Sequence, residues 1–249
     1  MDHPPAASDL VEFPAIANTS ADVVRRRLRS LEGRTPGTLL VHEIYRSIQG
    51  ESTYAGLPCT FIRLTACHLR CTYCDTRHAF HHGEEIPVGE VVARALATGD
   101  AVVEVTGGEP LLQPEVLPLM AALADAGRAV LLETSGSIDI GPVDPRVVVI
   151  LDVKTPGSGE ARTNLDRNLA SLKPTDEVKY VVADRADFDW SAAHIRAHRL
   201  AGRVQLLVGG VFGRVTPAEL AAWVLESGLP LRLQVQLHKQ IWGPDARGV

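Results

Sequence analysis

The chain has 249 residues, of which 45% are hydrophobic and 22% are charged, so it can bury the core of one large or two small domains. Its formal net charge of -5 argues against a nucleic-acid partner, because proteins that bind nucleic acids usually carry a basic domain or stripe. It has no apolar run of the roughly 18 residues that span a membrane and no signal peptide at residues 1–18, so we expect a soluble cytoplasmic protein with no membrane partner.

Residues 1–38 form an extension that differs from the rest of the chain, because four prolines interrupt it. Only residues 20–31 are periodic: Ser20 can cap a helix there, whose apolar face would hold Val23, Val24, Leu28 and Leu31. The same stretch carries a basic run made of Arg25, Arg26, Arg27 and Arg29. We interpret it as an amphipathic helix that covers part of the core and keeps a solvated basic face, with a binding arm as the alternative.

From residue 39 onward, short β-rich apolar runs alternate with helical patterns. The runs predict strands at residues 39–44, 59–64, 101–106, 129–134, 147–152, 178–182, 204–208 and 231–235. Helices are predicted at residues 88–97, 114–126, 187–200 and 216–226. Continuous Val, Ile and Leu runs are typical of a parallel sheet buried on both faces, so the pattern predicts an α/β fold. About six such units are too few for a closed eight-fold barrel, which leaves an open or partial barrel or a doubly wound sheet.

Three of the four cysteines share one stretch of eight residues with the spacing CxxxCxxC, at Cys67, Cys71 and Cys74. In a reducing compartment such thiols point to metal or redox chemistry more than to disulfides. Their spacing permits an iron–sulfur cluster with one open iron, or a zinc ion with a fourth ligand from His78, His81 or His82. Three unligated thiols are the third, less favoured interpretation. Cys59 lies within a predicted strand and is assigned to the core.

A glycine-rich turn ends the predicted strand 101–106 and reads Thr106-Gly107-Gly108-Glu109-Pro110. Two glycines let a backbone approach a ligand closely, and the Glu109 carboxylate can receive an ammonium group. Alone, the motif would be read as an ordinary turn. Because Gly107 follows Cys74 by 33 residues, the two motifs together favour iron over zinc.

With both motifs present, the chain resembles the radical S-adenosylmethionine enzymes. The resemblance implies that the three cysteines carry a 4Fe-4S cluster and that its open iron binds S-adenosyl-L-methionine, whose amino group the Gly-Gly-Glu-Pro motif holds. It further implies that an electron from the cluster cleaves the cofactor to a 5'-deoxyadenosyl radical, which the protein holds against a substrate C–H bond. A partial β/α barrel over residues 39–249 and a reduced flavodoxin- or ferredoxin-like electron donor are implied as well.

Further motifs narrow the resemblance to the 7-carboxy-7-deazaguanine synthase family over residues 39–243. They are Ile48-Gln49-Gly50-Glu51, Phe61-Ile62-Arg63-Leu64, Cys74-Asp75-Thr76, Glu133-Thr134-Ser135-Gly136, Asp152-Val153-Lys154 and Gln236-Leu237-His238-Lys239. The resemblance implies a homodimeric carbon–nitrogen lyase that converts 6-carboxy-5,6,7,8-tetrahydropterin to 7-carboxy-7-deazaguanine with loss of ammonia, a step toward queuosine-type nucleosides. Hydrogen returned from deoxyadenosine would regenerate the cofactor, which then acts as a catalyst.

The family's functional residues carry over to this chain position by position. Contacts to S-adenosylmethionine are expected from Tyr73, Asp75, Gly107, Gly108, Glu109, Asp152, Val153 and Lys154. The pterin pocket is expected to hold Ile48, Gln49, Gly50, Arg63 and Thr106. Arg63 would pair bidentately with the substrate carboxylate. Thr76 would place its hydroxyl on a magnesium ion that also binds substrate.

Several alternatives stay open beside this resemblance. Judged without it, Arg63 is a surface ion pair and Thr76 is a helix cap. A glycyl-radical-activase-type enzyme also carries CxxxCxxC, but these two residues favour a small carboxylated substrate over a partner protein. A non-catalytic zinc-binding module is the alternative from another class. The extension before residue 39 has no counterpart in a typical family member.

Overall fold

A mixed sheet of nine strands is the frame of residues 20–249, the part of the chain that the computed structural model describes. The strands are β1 (Thr38–Ile48), β2 (Pro58–Leu64), β3 (Glu84–Pro87), β4 (Val102–Gly107), β5 (Ala129–Thr134), β6 (Val148–Asp152), β7 (Glu177–Val182), β8 (Gln205–Gly210) and β9 (Leu231–Gln234). Their order across the sheet is β3-β1-β2-β4-β5-β6-β7-β8-β9. Since β3 and β9 are its two free edges, the sheet is open, and the predicted α/β partial barrel is confirmed.

In the described part of the chain, five helices cross over between parallel strands and cover the outer face of the sheet: α2 (Val88–Ala97), α3 (Val116–Asp125), α4 (Asp166–Ser171), α5 (Arg185–Ala197) and α6 (Pro217–Ser227). Two more helices, α1 (Ala21–Arg27) and α7 (Leu237–Trp242), lie before the first strand and after the last. α6 has the clearest start signal, because Thr216 and Glu219 form a reciprocal capping box. Among the described residues, no helix combines the length and the apolarity needed to cross a membrane.

One expectation about the sheet is wrong. β1 pairs antiparallel with both β2 and β3, whereas the strands from β2 to β9 pair in parallel. The connection from β1 to β2 covers only residues 49–57, and a parallel pair needs a crossover of about a dozen residues or more. β3 was not predicted because it is a four-residue edge strand with two exposed glutamates, a composition that protects an edge but resembles a loop.

The alternation of side chains along the strands builds the site. Outward-facing residues such as Val103 and Val105 of β4 join the main core under the helices. On the inner face, Cys59 and Phe61 of β2 pack with Val102, Leu131 and Ile150 in a separate apolar cluster. Two or more residues further along the same strands, the inner face becomes polar, at Arg63, Glu104, Glu133 and Asp152. The apolar layer therefore forms the floor and the polar layer the wall of a cavity.

The N-terminal segment packs on the loop that follows β2. Val24 and Leu28 are 8% exposed and contact Ala66 and Leu112, while the exposed arginines 25, 26 and 29 face solvent. α1 is shorter than the predicted helix 20–31, which continues as a 3-10 turn at Arg29–Leu31. Ser20 precedes α1, but its hydroxyl makes no capping hydrogen bond. Residues 1–19 of the predicted extension lie outside the described residues.

Candidate active site

A cavity of about 590 Å³ opens at the carboxyl ends of the parallel strands, where α/β proteins usually bind ligands. Its wall combines the polar inner layer of the sheet, the cysteine loop after β2 and the C-terminal segment. Of the residues predicted for the site, the cavity is lined by Ile48, Gln49, Gly50, Arg63, Cys67, Cys71, Tyr73, Cys74, Asp75, Thr76, Thr106, Gly107, Gly108, Asp152 and Lys154. The fold thus brings residues from distant parts of the chain to one place.

The three clustered cysteines lie on the loop between β2 and the 3-10 turn Arg77–Phe80. Leu69 and Phe80 pack against them, which keeps much of their surface away from water. Burial raises the pKa of Cys67 to about 12 and also raises the pKa values of Cys71 and Cys74. Thiols in such surroundings become thiolates when a metal supplies the compensating charge. Cys59 lies apart, fully buried in the floor of the cavity as predicted.

The spacing of the cysteines fits an iron–sulfur cluster better than one zinc ion. Two sulfurs bound to the same zinc at about 2.3 Å can be no more than about 4.6 Å apart. Among the described residues, there are two groups of three potential ligands in which all the ligand atoms lie within 4.8 Å of one another. The three cysteines do not form such a group. A cluster in which each thiolate binds a different iron suits wider spacing. His78 lies instead beside Glu43, and His81 and His82 are exposed.

The Gly-Gly turn after β4 packs directly on the cysteine loop. A Cβ on Gly108 would lie 2.0 Å from the Ala66 carbonyl oxygen, and a Cβ on Gly107 would lie 2.3 Å from that of Leu64. Ala66 itself has a φ of +82°, an uncommon conformation that places Cys67 toward the cavity. These glycines were expected to admit a ligand. In the structure, the absence of a side chain at both glycines lets the cysteine loop pack against this turn.

The side chain of Glu109, predicted to receive an ammonium group, is not among the groups that line the cavity. It is fully buried, and its two oxygens accept bonds from the Leu111 and Ser135 amides and the Thr134 and Ser135 hydroxyls. A carboxylate with four donors has no free position for an ammonium group. Glu109 therefore fixes the turn between β4 and β5, and a ligand contact at this motif is left to the main chain of the glycines.

Asp152 is the last residue of β6, Lys154 lies two residues further on, and both face the cavity. Lys154 Nζ donates to Asp152 Oδ2 at 2.7 Å, whereas the buried Oδ1 has no partner. An unpaired buried carboxylate oxygen is costly unless a ligand donates to it, so this atom marks a binding position. The side chain of Val153, which lies between them, packs in the main core, and its contact with the cofactor stays a prediction.

Tyr73 and Asp75 flank Cys74 and have protein partners. The Tyr73 hydroxyl donates to the Val181 carbonyl at 3.0 Å, and Asp75 forms an ion pair with Lys239 at 2.6 Å. Although loss of hydration opposes it, the Lys239 ammonium lowers the pKa of Asp75 well below its usual range. The Thr76 hydroxyl donates to Asp75 Oδ1 at 3.0 Å and does not cap the turn that follows. Its oxygen lone pairs remain available to a cation.

Arg63 is a half-buried cation whose guanidinium is fixed on one side. Nε donates to Glu43 and Nη2 to the Tyr45 hydroxyl, both at 2.7 Å. Burial opposes ionisation, but these two partners raise the pKa of Arg63. Nη1 and the second Nη2 hydrogen stay free, and they can bind a carboxylate end-on through two parallel bonds. The surface ion pair considered from sequence does not describe this residue, because its side chain is only 16% exposed.

A chain of charged groups on β4, β5 and β7 was not predicted. Lys179 forms ion pairs with Glu51 and Glu133, and Glu133 also accepts from Thr106 at 3.3 Å. Burial works against the ammonium, but Glu133 and Glu51 raise the pKa of Lys179 well above its ordinary value. Glu104 is bound by the Gln49 amide, and burial followed by the charge of Glu133 raises its pKa. Charged residues inside Val-rich strands, as in residues 102–105 and 178–182, were the signal that could have revealed them.

Comparison with known proteins agrees with this geometry. Residues 61–148 match the family model described as the Radical SAM superfamily. The chain is 47% identical over 218 residues to the 7-carboxy-7-deazaguanine synthase of Chlorobaculum tepidum, a match that covers 86% of this chain and 99% of the relative. It is 44% identical over 225 residues to the enzyme of the same name from Koribacter versatilis, covering 84% and 99%.

A solved structure shows the same fold. The crystal structure of QueE from Escherichia coli superposes with a TM-score of 0.66 at 21% identity, and the match covers 80% of this chain and 94% of that one. The matches with this structure and with the two relatives cover 94–99% of the length of those proteins.

Proposed function

Because the chain belongs to the 7-carboxy-7-deazaguanine synthase family of radical S-adenosylmethionine enzymes, we propose that its cavity converts 6-carboxy-5,6,7,8-tetrahydropterin to 7-carboxy-7-deazaguanine with loss of ammonia. The observation that carries this proposal is that one cavity joins a loop of three cysteines to a fixed guanidinium with a free end. That pairing suits a redox cofactor and a small carboxylated substrate held side by side. The activase and zinc-module alternatives are not favoured.

Cys67, Cys71 and Cys74 would hold the 4Fe-4S cluster, because they are the cysteines that line the cavity. When bound, the cluster and S-adenosylmethionine supply the deoxyadenosyl radical that removes a substrate hydrogen atom. The protein itself would position the cofactor and the substrate and enclose them. Tyr73, Asp75, Lys154 and the main chain of the two glycines would surround the cofactor, and the unpaired Asp152 Oδ1 would accept a hydrogen bond from one of its donors.

The opposite wall would hold the pterin. Arg63 would bind the carboxylate end-on, and Thr106 would contact the ring beside the loop of Ile48, Gln49 and Gly50. A buried acid whose pKa is raised can donate a hydrogen bond, so Glu104 is suited to recognise a ring nitrogen acceptor. The ion pair of Lys179 with Glu133 keeps a second, charged acceptor in the same wall.

Thr76 would bind magnesium through its hydroxyl oxygen. Magnesium prefers oxygen ligands and usually keeps several waters, so one threonine, the substrate carboxylate and solvent can complete its octahedron. The support for this role is that Thr76 lines the cavity and leaves its lone pairs unused. The adjacent Asp75 carboxylate adds negative charge near the same oxygen.

Four further features belong to the same proposal. The enzyme would work in the cytoplasm, since clustered thiols need a reducing compartment, and its product would enter queuosine biosynthesis. A reduced flavodoxin- or ferredoxin-like protein would supply electrons. The protein would be a homodimer, which agrees with exposed apolar side chains on α7, where Ile241 and Trp242 are 54% and 41% exposed.

The decisive experiment is an anaerobic assay of the reconstituted enzyme with the carboxypterin, S-adenosylmethionine, magnesium and a chemical reductant. We expect 7-carboxy-7-deazaguanine to form over many turnovers per cofactor molecule. Cys67→Ala, Cys71→Ala and Cys74→Ala should each lose the brown cluster and the activity. Cys59→Ala is the matched control and should keep both, since Cys59 lies in the floor of the cavity.

Two results would contradict the proposal. Stoichiometric consumption of S-adenosylmethionine without deazaguanine would point to a different radical reaction. A colourless protein that binds one zinc and no iron would point to a structural module. Light scattering on the same preparation is expected to give a mass of twice 26.8 kDa. A monomeric mass would contradict the proposed dimer but not the proposed activity.

A further inference from the structure

A second group of potential metal ligands lies outside the cavity, between α4 and α5. It consists of Asp166, the first residue of α4, of His194 on α5 and of His198, the residue directly after the last turn of α5. The two histidines are four positions apart, so they lie one above the other on one face of the helix. Their ring centroids are 4.3 Å apart.

The three side chains converge closely enough to share one ion. A ring nitrogen from each histidine and a carboxylate oxygen of Asp166 all lie within 4.8 Å of one another. Asp166 is exposed and both histidines are half-buried, so an ion can reach the group from solvent. None of the ion pairs found within residues 20–249 involves Asp166, so its charge is not neutralised by a neighbour at contact distance.

His194 has the orienting partner that a metal-binding histidine usually has. Its Nδ1 is 2.9 Å from the hydroxyl of Tyr180, a fully buried residue of β7, and Trp190 stacks on the ring. With Nδ1 engaged by Tyr180, Nε2 is the nitrogen left for a ligand.

The two helices that carry the ligands are also held together. Arg203 donates to the main-chain carbonyls of His198 at 3.3 Å and of Leu169 at 3.1 Å, which connects the end of α5 with α4. The ligand positions are therefore set by the fold and not by the ion. A preorganised site loses less conformational entropy when the ion binds.

We propose that Asp166, His194 and His198 form a binding site for a divalent transition-metal cation of the zinc type, separate from the catalytic cavity. Zinc accepts two imidazoles and a carboxylate and takes water as its fourth ligand. The carboxylate lowers the charge of the bound ion, and the hydroxyl of Tyr180 accepts the Nδ1 hydrogen of the bound His194. The ion would connect α4 to α5 on the outer side of the sheet.

The test is a zinc titration of the full-length, cluster-loaded enzyme after chelator treatment, measured by calorimetry and zinc-edge X-ray absorption. We expect one equivalent bound, with a nitrogen and oxygen shell at about 2.0–2.1 Å and no sulfur shell at about 2.3 Å. His198→Ala and Asp166→Asn should each lose this binding. Tyr180→Phe should weaken it by about 10–100-fold.

A loss of binding in Asp166→Asn would not result from misfolding, because Asp166 is exposed and its replacement leaves the core intact. Asp189→Asn is the matched control: it removes an exposed carboxylate of α5 that pairs with Arg185, and it should bind zinc like the unchanged chain. A sulfur shell, equal affinity in all variants, or no bound equivalent would each overturn the proposal. None of these outcomes bears on the activity that depends on the iron–sulfur cluster, so the zinc site and the proposed function are tested separately.

Discussion

Arg63 shows at the scale of one residue how the cavity selects its substrate. Its Nε and one Nη2 hydrogen are held by Glu43 and Tyr45, so the guanidinium plane is fixed before a ligand arrives. The free end then offers two parallel donors in the geometry of a carboxylate. A lysine would present a point charge on a flexible stem and could not keep both protein partners and a bidentate ligand.

We therefore predict that Arg63→Lys raises the KM for the carboxypterin by about 10- to 100-fold, the equivalent of one lost charge-assisted hydrogen bond or slightly more. Cleavage of S-adenosylmethionine without the pterin should continue, because Arg63 is not among the residues expected to touch that cofactor. Steady-state kinetics with both readouts measure the effect. Arg46→Lys is the control, since Arg46 pairs with Asp100 outside the cavity and is 61% exposed. An unchanged KM would remove Arg63 from substrate recognition.

Sequence motifs located most of the site residues but could not say which way each side chain points. Every predicted pterin-pocket residue and all three clustered cysteines line the cavity. Glu109 and Val153 do not line it, because a motif fixes position along the chain and their side chains turn toward the protein interior. Their contacts with the cofactor stay predictions. Lys179 and Glu104 escaped notice because their partners are far away in sequence, and no local pattern records such contacts. Lys179 pairs with Glu51 and Glu133, and Glu104 accepts from the Gln49 amide.

At the scale of elements, α1 acts on the cysteine loop. Arg27 donates to the carbonyl of His68 at 2.5 Å, and Leu28 packs on Ala66, whose φ of +82° is unfavourable for a residue with a Cβ. The loop thus needs surrounding contacts to keep this conformation. α1 supplies contacts from outside, and the Gly-Gly turn supplies them from the other side through Glu109 N, which donates to the Ala66 carbonyl at 2.9 Å.

Loss of the Arg27 contact should therefore loosen the cysteine loop. We predict that Arg27→Ala speeds amide exchange in residues 65–76 and shortens the life of the bound cluster in air by several-fold, because a hydrogen bond from a charged donor contributes about 1.5–3 kcal/mol. Hydrogen exchange by mass spectrometry and the decay of visible absorbance measure the two effects. Arg26→Ala is the control, since Arg26 is exposed on the same helix. Equal behaviour of the two variants would contradict this role of α1.

Elements with strong periodicity were predictable, and short ones were not. The helix predicted at 88–97 is α2 with the same bounds, because its apolar residues, such as the buried Val91 and Ala95, recur at the helical period. β5 matches its predicted residues 129–134, because a continuous run of buried Val and Leu defines it. α4 and α7 have six residues each, too few for a helical period to stand out. The strand β1 was predicted, but its antiparallel direction was not. Strand direction depends on the connection and on the neighbouring strand, and the apolar pattern of one strand encodes neither.

At the scale of the whole molecule, the open sheet depends on the C-terminal segment to complete the cavity. Leu237 N donates to the Gly50 carbonyl at 3.1 Å, and Gln236 donates to Glu51 at 2.9 Å. The ring of His238 occupies the space where Gly50 lacks a side chain, since a Cβ there would lie 2.3 Å from Nδ1. Lys239 then reaches the cysteine loop through Asp75. The segment after β9 therefore connects the loop after β1 with the loop after β2.

The ion pair between Lys239 and Asp75 is the contact of this segment that can be removed with least disturbance. We predict that Lys239→Met raises the KM for S-adenosylmethionine by about 3- to 5-fold, because a partly exposed ion pair contributes up to about 1 kcal/mol and Asp75 loses its fixed position. Amides of residues 237–242 should exchange faster, since one end of the segment is released. Arg146→Met, which breaks exposed ion pairs with Asp125 and Asp144 elsewhere on the molecule, is the control and should change neither value. If Lys239→Met left both the KM and the exchange unaltered, the contacts with Gly50 and Glu51 would be enough to hold the C-terminal segment, and the ion pair would have no part in completing the cavity.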